Sequence, residues 1–318
     1  MKKIFALSLI LALVWGLTVV QAGQYPARAI AITVPAAPGG ASDMTTRIFT
    51  SQMEKILNVP FPVTNRPGAS CSIGMEYVKN RAPDGYNLSY IPVESVMIRA
   101  LGLTDLSSND FNFIARAMTI PAALTVRKEA PWDTFDAFLA HAKANPGAIK
   151  IGNSGTGSIW HIAAAAIEGA AGVKFTHVPF EGGAPAVAAL MGANIDAVTV
   201  SPSEVQSGVD SGEFKVLAVL GEKRSGVVPE VKTAIELGYD VKVLGWGAFA
   251  APKGTPPEIM AILEKAAATA IDSDEVKKFF KERGFDHSYL NAADMTAFAK
   301  TQLAFYDDMI PKLGIVNK

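Results

Sequence analysis

Short apolar, β-branched runs alternate along this chain with stretches whose apolar residues recur at helical spacing. Ala29–Val34 (AIAITV) reads as a strand and Ser42–Leu57 as an amphipathic helix. Phe61–Asn65 reads as a second strand. Ile73–Asn80 reads as a helix, closed by the turn Ala82-Pro83-Asp84-Gly85. Strands are expected at Tyr86–Ile91 and Ala122–Arg127, then a helix over Phe135–Asn145 that Pro146-Gly147 stops. A short strand at Ile149–Gly152 leads into a helix at Ser158–Ala171. Phe175–Val178 and Ile195–Val200 read as strands around a helix at Ala184–Met191. Lys215–Leu220 and Leu244–Ala250 are strands, and the tail from Pro256 to Met309 reads as three amphipathic helices.

This alternation predicts an α/β fold with parallel sheets flanked by helices. The chain is too long for one compact sheet with such short loops, which points to two lobes. The extended runs PAALTVRKEAPW and LGWGAFAAPKGTPP read as two crossings between them. One lobe is then discontinuous, 23–122 plus 244–318, and the other is 123–243. A cleft between two such lobes is a standard ligand site.

Two junctions in this pattern carry candidate chemistry. In VPAAPGGASD a strand feeds Pro38, Gly39 and Gly40, and a helix opens at Ser42-Asp43. Glycines there let backbone N–H groups approach a ligand, and a helix N-terminus offers unpaired donors and a positive dipole end. The combination suits a small anion, although an ordinary strand-to-helix loop with a side-chain cap reads the same way. IGNSGTGSIWH repeats the logic with Ser154, Gly155, Thr156, Gly157 and Ser158. Facing each other across a cleft, the two loops would clamp a carboxylate from both sides.

Sharper motifs are excluded. Trp160 stands where a dinucleotide G-x-G-x-x-G needs glycine, and Thr156 breaks a G-x-S-x-G nucleophile elbow. No phosphate-binding G-x-x-x-x-G-K occurs, and His141, His161, His177 and His287 lack metal spacing. No metal and no cofactor is expected. An exported hydrolase using Ser154 or Ser158 would need a base and an orienting acid, and only His161 lies near in sequence.

The start, MKKIFALSLILALVWGLTVVQA, combines Lys2 and Lys3 with the apolar run Ile4–Val20 and a small-residue site at Ala22. It reads as a signal peptide at 1–22, cleaved near Ala22, which predicts a periplasmic protein that does not itself span the membrane. Charge is nearly balanced, with 29 basic against 30 acidic residues, so no nucleic-acid footprint is expected. The apolar share of 49% excludes a disordered chain. The single cysteine, Cys71, cannot form an internal disulfide, and no neighbouring His or Lys in sequence activates its thiol.

Six segments, in order, resemble the substrate-binding receptors of tripartite tricarboxylate transporters (the TctC or Bug family). They are YPARAIAITVPAAPGGASD, VTNRPGASCSIG with APDGY, NPGAIKIGNSGTGSIWH, VPFEGGAPAVAALMGANIDA, LAVLGEKRSGVVPEVKTAIELGY and GWGAFAAPKGTPPEI. The resemblance implies a type II periplasmic binding-protein fold that closes on its ligand, without catalysis. It implies a monomeric receptor for a small carboxylate: a di- or tricarboxylate, an acidic amino acid or an aromatic acid. The implied partner is the membrane permease of the transporter. Carried onto this sequence, the ligand contacts would be Ala36, Ala37, Pro38, Gly39, Gly40, Ser42 and Asp43, then Ser154 to Ser158 with His161 behind them. Phe180 and Ser201 would sit at further strand ends. Asp43 is expected to organise its loop, since a bare carboxylate repels an anion.

The departures bear on specificity. Ala36 stands where the family often has an aromatic, Glu181 where it commonly has a basic residue, and Cys71 where it has glycine. Glu94 adds a second possible negative charge. These residues either lie on the rim without effect or make a roomier, less cationic pocket for an aromatic acid or an amine-bearing ligand. A receptor presenting its ligand to a membrane kinase would share this fold and pocket, so that alternative stays open here.

Overall fold

A computed structural model describes residues 25–313; the expected signal peptide and its cleavage point lie outside them. Ten strands and nine α-helices are described. β1 (Ala31–Val34) leads through a turn into α1 (Ala41–Leu57), followed by β2 (Val63–Asn65), α2 (Ser72–Lys79) and β3 (Asn87–Pro92). β4 (Phe111–Arg127) runs on into α3 (Phe135–Ala144), β5 (Lys150–Asn153), α4 (Ile159–Ala171), β6 (Thr176–Pro179) and α5 (Gly183–Met191). Then come β7 (Ala197–Val200), α6 (Pro202–Asp210), β8 (Phe214–Leu220) and β9 (Leu244–Pro252). The tail is α7 (Pro257–Ile271), α8 (Asp274–Arg283), β10 (Asp286–Asn291) and α9 (Ala292–Leu313).

The expected parallel units are present: β1 pairs parallel with β2 and β3, and β5 with β6 and β7. Antiparallel β4 and β9 join them, giving the order β2-β1-β3-β9-β4-β7-β5-β6, with β8 and β10 also on β4. The expected strand at 122–127 is only the second part of β4, which has 17 residues. Its first part pairs with β9 and β10, its last part with β7 and β8. Pro121, which has no N–H to give a ladder, stands where the change occurs. α6 and β10 were not expected from the pattern, and β10 separates the second and third tail helices.

Helix ends follow local chemistry. Thr134 caps α3 by accepting the Ala137 N–H at 3.1 Å, and Ser158 caps α4 by accepting the His161 N–H at 3.2 Å. Gly172 closes α4 in the left-handed region at φ 64°. One continuous apolar core runs through both parts of the sheet. Within it Phe49 of α1 stacks on Phe249 of β9 with centroids 3.6 Å apart, and Tyr90 of β3 meets the same ring edge-on.

Candidate functional site

A cavity of about 710 Å³ opens where the loop after β1 meets the loop after β5. Of the residues expected from sequence, Ala36, Ala37, Gly40, Ser42, Ser154, Gly155, Thr156 and Phe180 line it. Pro38, Gly39, Asp43, Gly157, Ser158, His161 and Ser201 do not.

Those seven include the residues that shape the loops. Asp43, buried in the first turn of α1, accepts the Gly39 N–H at 3.0 Å, the Arg47 Nε–H at 3.0 Å and the Asn65 Nδ2–H at 2.9 Å. Asn65 also donates to the Ala36 carbonyl at 3.0 Å, so one network ties both ends of the loop. Burial works against the charge on Asp43, but the hydrogen bonds from Arg47, Gly39 and Asn65 outweigh it and hold its carboxyl below the usual range. In the second loop His161 Nδ1 accepts the Gly157 N–H at 2.9 Å. Burial, with His177 beside it at 4.6 Å between ring centroids, pushes His161 down to about 4. A neutral imidazole with one nitrogen committed to Gly157 is a loop support. The serine expected beside it, Ser158, is the α4 cap.

Ser201, expected to face the cleft, is the cap of α6 instead. Its N–H and hydroxyl both donate to Glu204 Oε2, at 3.1 and 2.7 Å. Glu204 is the residue that reaches the cavity, beside Gly40 and Gly183. Its carboxylate lies beside Gly40 at the start of α1, near enough to the Ala41 N–H for that donor to pull its carboxyl down. Glu94, in the short turn after β3, makes the reciprocal contact: its Oε1 accepts the Ile159 N–H, the first residue of α4, at 3.0 Å. Burial raises the carboxyls of both Glu94 and Glu204, against the pull of these amide donors.

Sequence reasoning missed much of the wall. Tyr90, Trp160 and Trp246 contribute aromatic surface, and Met118 and Ile120 of β4 contribute apolar surface. The loop 67–71 also lines the cavity. Ala69, Ser70 and Cys71 there have φ of 44°, 49° and 74°, a left-handed run that non-glycine residues rarely adopt. Ser70 donates its hydroxyl to the Thr156 carbonyl, binding this loop to the second glycine loop. Burial, then the neighbouring Glu94 carboxylate, pushes the Cys71 thiol well up and keeps it protonated.

The sequence profile of the tripartite tricarboxylate transporter family receptor (TctC) matches residues 45–315. The chain belongs to that family. It is 32% identical to protein BugT of Bordetella pertussis over 83% of each chain. A ligand-free TctC solute-binding protein from Polaromonas is 38% identical, covers 91% of this chain and 99% of its own, and superposes with a TM-score of 0.67. A Rhodopseudomonas palustris protein with adipate is 25% identical, covers 91% and 98%, and has a TM-score of 0.86. As a TctC family member the chain is a solute-binding receptor, not an enzyme, with the two-lobed periplasmic binding-protein architecture. No helix among the described residues is long and apolar enough to cross a membrane.

Proposed function

We propose that this receptor traps a small carboxylic acid in the cavity and delivers it to the membrane permease of a tripartite tricarboxylate transporter. The observation that carries the reading is the meeting of two glycine loops, each leading into a helix, at one cavity. The small hydroxyl donors there, Ser154 and Thr156, suit a carboxylate, and the similar R. palustris protein holds adipate.

The lobes of the trap are 23–122 plus 244–318 and 123–243, with β4 and β9 as the connections. The change of partners along β4 near Pro121 supports this division. The backbone resembles the adipate-bound neighbour more than the ligand-free one, although the latter is closer in sequence. That supports a closed arrangement of the lobes. The protein is exported, loses its leader near Ala22 and works as a monomer.

A thermal-shift panel of carboxylic acids, neutral sugars and amines tests the binding claim. A ligand at about 100 times its Kd adds roughly 2.7 kcal/mol, a rise of several degrees. A rise with acids alone is expected, whether or not they also carry an amine. A rise only with sugars or with amines lacking a carboxylate overturns the proposal.

A further inference from the structure

Three carboxylates, Glu94, Glu181 and Glu204, line the cavity, and no described lysine, arginine or histidine does. Two of them hold positions a ligand anion would want. Glu94 accepts the first N–H of α4, and Glu204 lies beside Gly40 at the start of α1, near the Ala41 N–H. A helix start that already carries a side-chain carboxylate has its donor and its positive end engaged. A second anion brought there meets like charge at close range. Tyr90, Trp160 and Trp246 line the same cavity, and an aromatic ring face favours a cation over an anion. Ser154 and Thr156, which also line the cavity, leave hydroxyl donors for one carboxylate.

We propose that Glu94 and Glu204 set the charge class of the solute: the cleft takes an acid with a single carboxylate whose other end is a protonated amine, and it discriminates against di- and tricarboxylates. The inference rests on the carboxylate-receptor reading for one end of the ligand and names the other. Glu181, exposed at the cavity, adds to the same field without a hydrogen bond to a helix start.

Calorimetric titration of the protein with matched pairs tests it. Succinate, glutarate and adipate are compared with γ-aminobutyrate, δ-aminovalerate and ε-aminocaproate, each pair alike in length and differing by one carboxylate for one amine. The amine-bearing member of at least one pair is expected to bind about tenfold tighter or more. Glu94→Gln and Glu204→Gln keep the side-chain shape and remove the charge, and each is expected to shrink that ratio severalfold. Melting without ligand shows that the variants fold. A dicarboxylate binding as tightly as its amine counterpart in every pair overturns the inference and leaves the receptor reading standing. An amine preference unchanged in both variants overturns the assignment to these two residues. If no acid in either series binds and none raises the melting temperature, this inference falls, and the wider thermal-shift panel decides whether the carboxylate-receptor reading falls with it.

Discussion

Ile159 donates its backbone N–H to Glu94 Oε1 at 3.0 Å, so a carboxylate from the turn after β3 caps a helix that begins 65 residues later. Glu204 answers it from the other direction at the start of α1. Each glycine loop is thus completed by a side chain from the far side of the cavity. Glu94→Ala leaves the Ile159 N–H buried without its acceptor, whereas Glu94→Gln retains one. The alanine variant is expected to be less stable than the glutamine variant by about 1–3 kcal/mol. Urea unfolding midpoints with equal slopes check this.

Asp43 gathers three donors from the first glycine loop and its neighbours. Its folded-state carboxyl titrates below its unfolded value. Its stabilisation is therefore fully present above the unfolded value of about 3.9 and is lost as pH falls through the lower folded value. Asp43→Ala should cost about 1–3 kcal/mol at neutral pH by orphaning those donors. The gap between wild type and variant should close as pH is taken below about 3.9. A gap constant down to the acid limit would place the role of Asp43 in packing, not charge.

His161 acts in the same direction but in a higher pH window. Its folded-state value, about 4, lies below the ordinary 6.5, so the unfolded chain binds the proton more readily. Wild type should lose up to about 3 kcal/mol between pH 6.5 and 4 from this residue alone. The loss is absent above 6.5 and complete below 4. His161→Gln offers an acceptor to Gly157 and does not titrate, so the difference between wild type and variant should change over that window. His177 and Glu168 face the same ring and interact with it, so the change in the difference reports His161 together with its coupling to them.

Much of the frame was legible because it rests on local signals. Glycine at a strand end followed by a helix-period run located both loops and the helices α1 and α4 to within a residue. Most of β4 was missed because it is buried on both faces for most of its length, so its sequence lacks the alternation that marks a strand. β10 alternates in burial, but with Asp286, His287 and Ser288 in its first positions it has no apolar run to read. The site divides the same way. Seven of the expected loop residues line the cavity and the other five do not, while Ser201 and His161 sit behind it as a helix cap and a loop support. Ser201-Pro202-Ser203-Glu204 does carry the spacing of a capping box, which could have located α6. Nothing local says that Glu204 also reaches the start of α1, because that contact joins positions more than 160 residues apart.

Gly247 tests the packing behind the cavity wall. It lies in β9 opposite Pro92 of β3 and Met118 of β4, held on both sides by antiparallel pairing. A Cβ there would fall on the Tyr90 phenol, whose oxygen and adjoining ring carbons occupy that space. Tyr90 is fully buried against Phe249 and cannot swing into solvent, and its ring is part of the cavity wall. Gly247→Ala should therefore destabilise the protein by about 1–3 kcal/mol through overpacking. It should also weaken ligand binding by pushing the ring into the cavity. Tyr90→Phe removes the oxygen and leaves the carbons, so in the double variant the stability loss should be partly recovered, with a coupling energy between the two sites of 0.5 kcal/mol or more. Losses that simply add would mean that Gly247 is confined by the strand backbones and not by Tyr90.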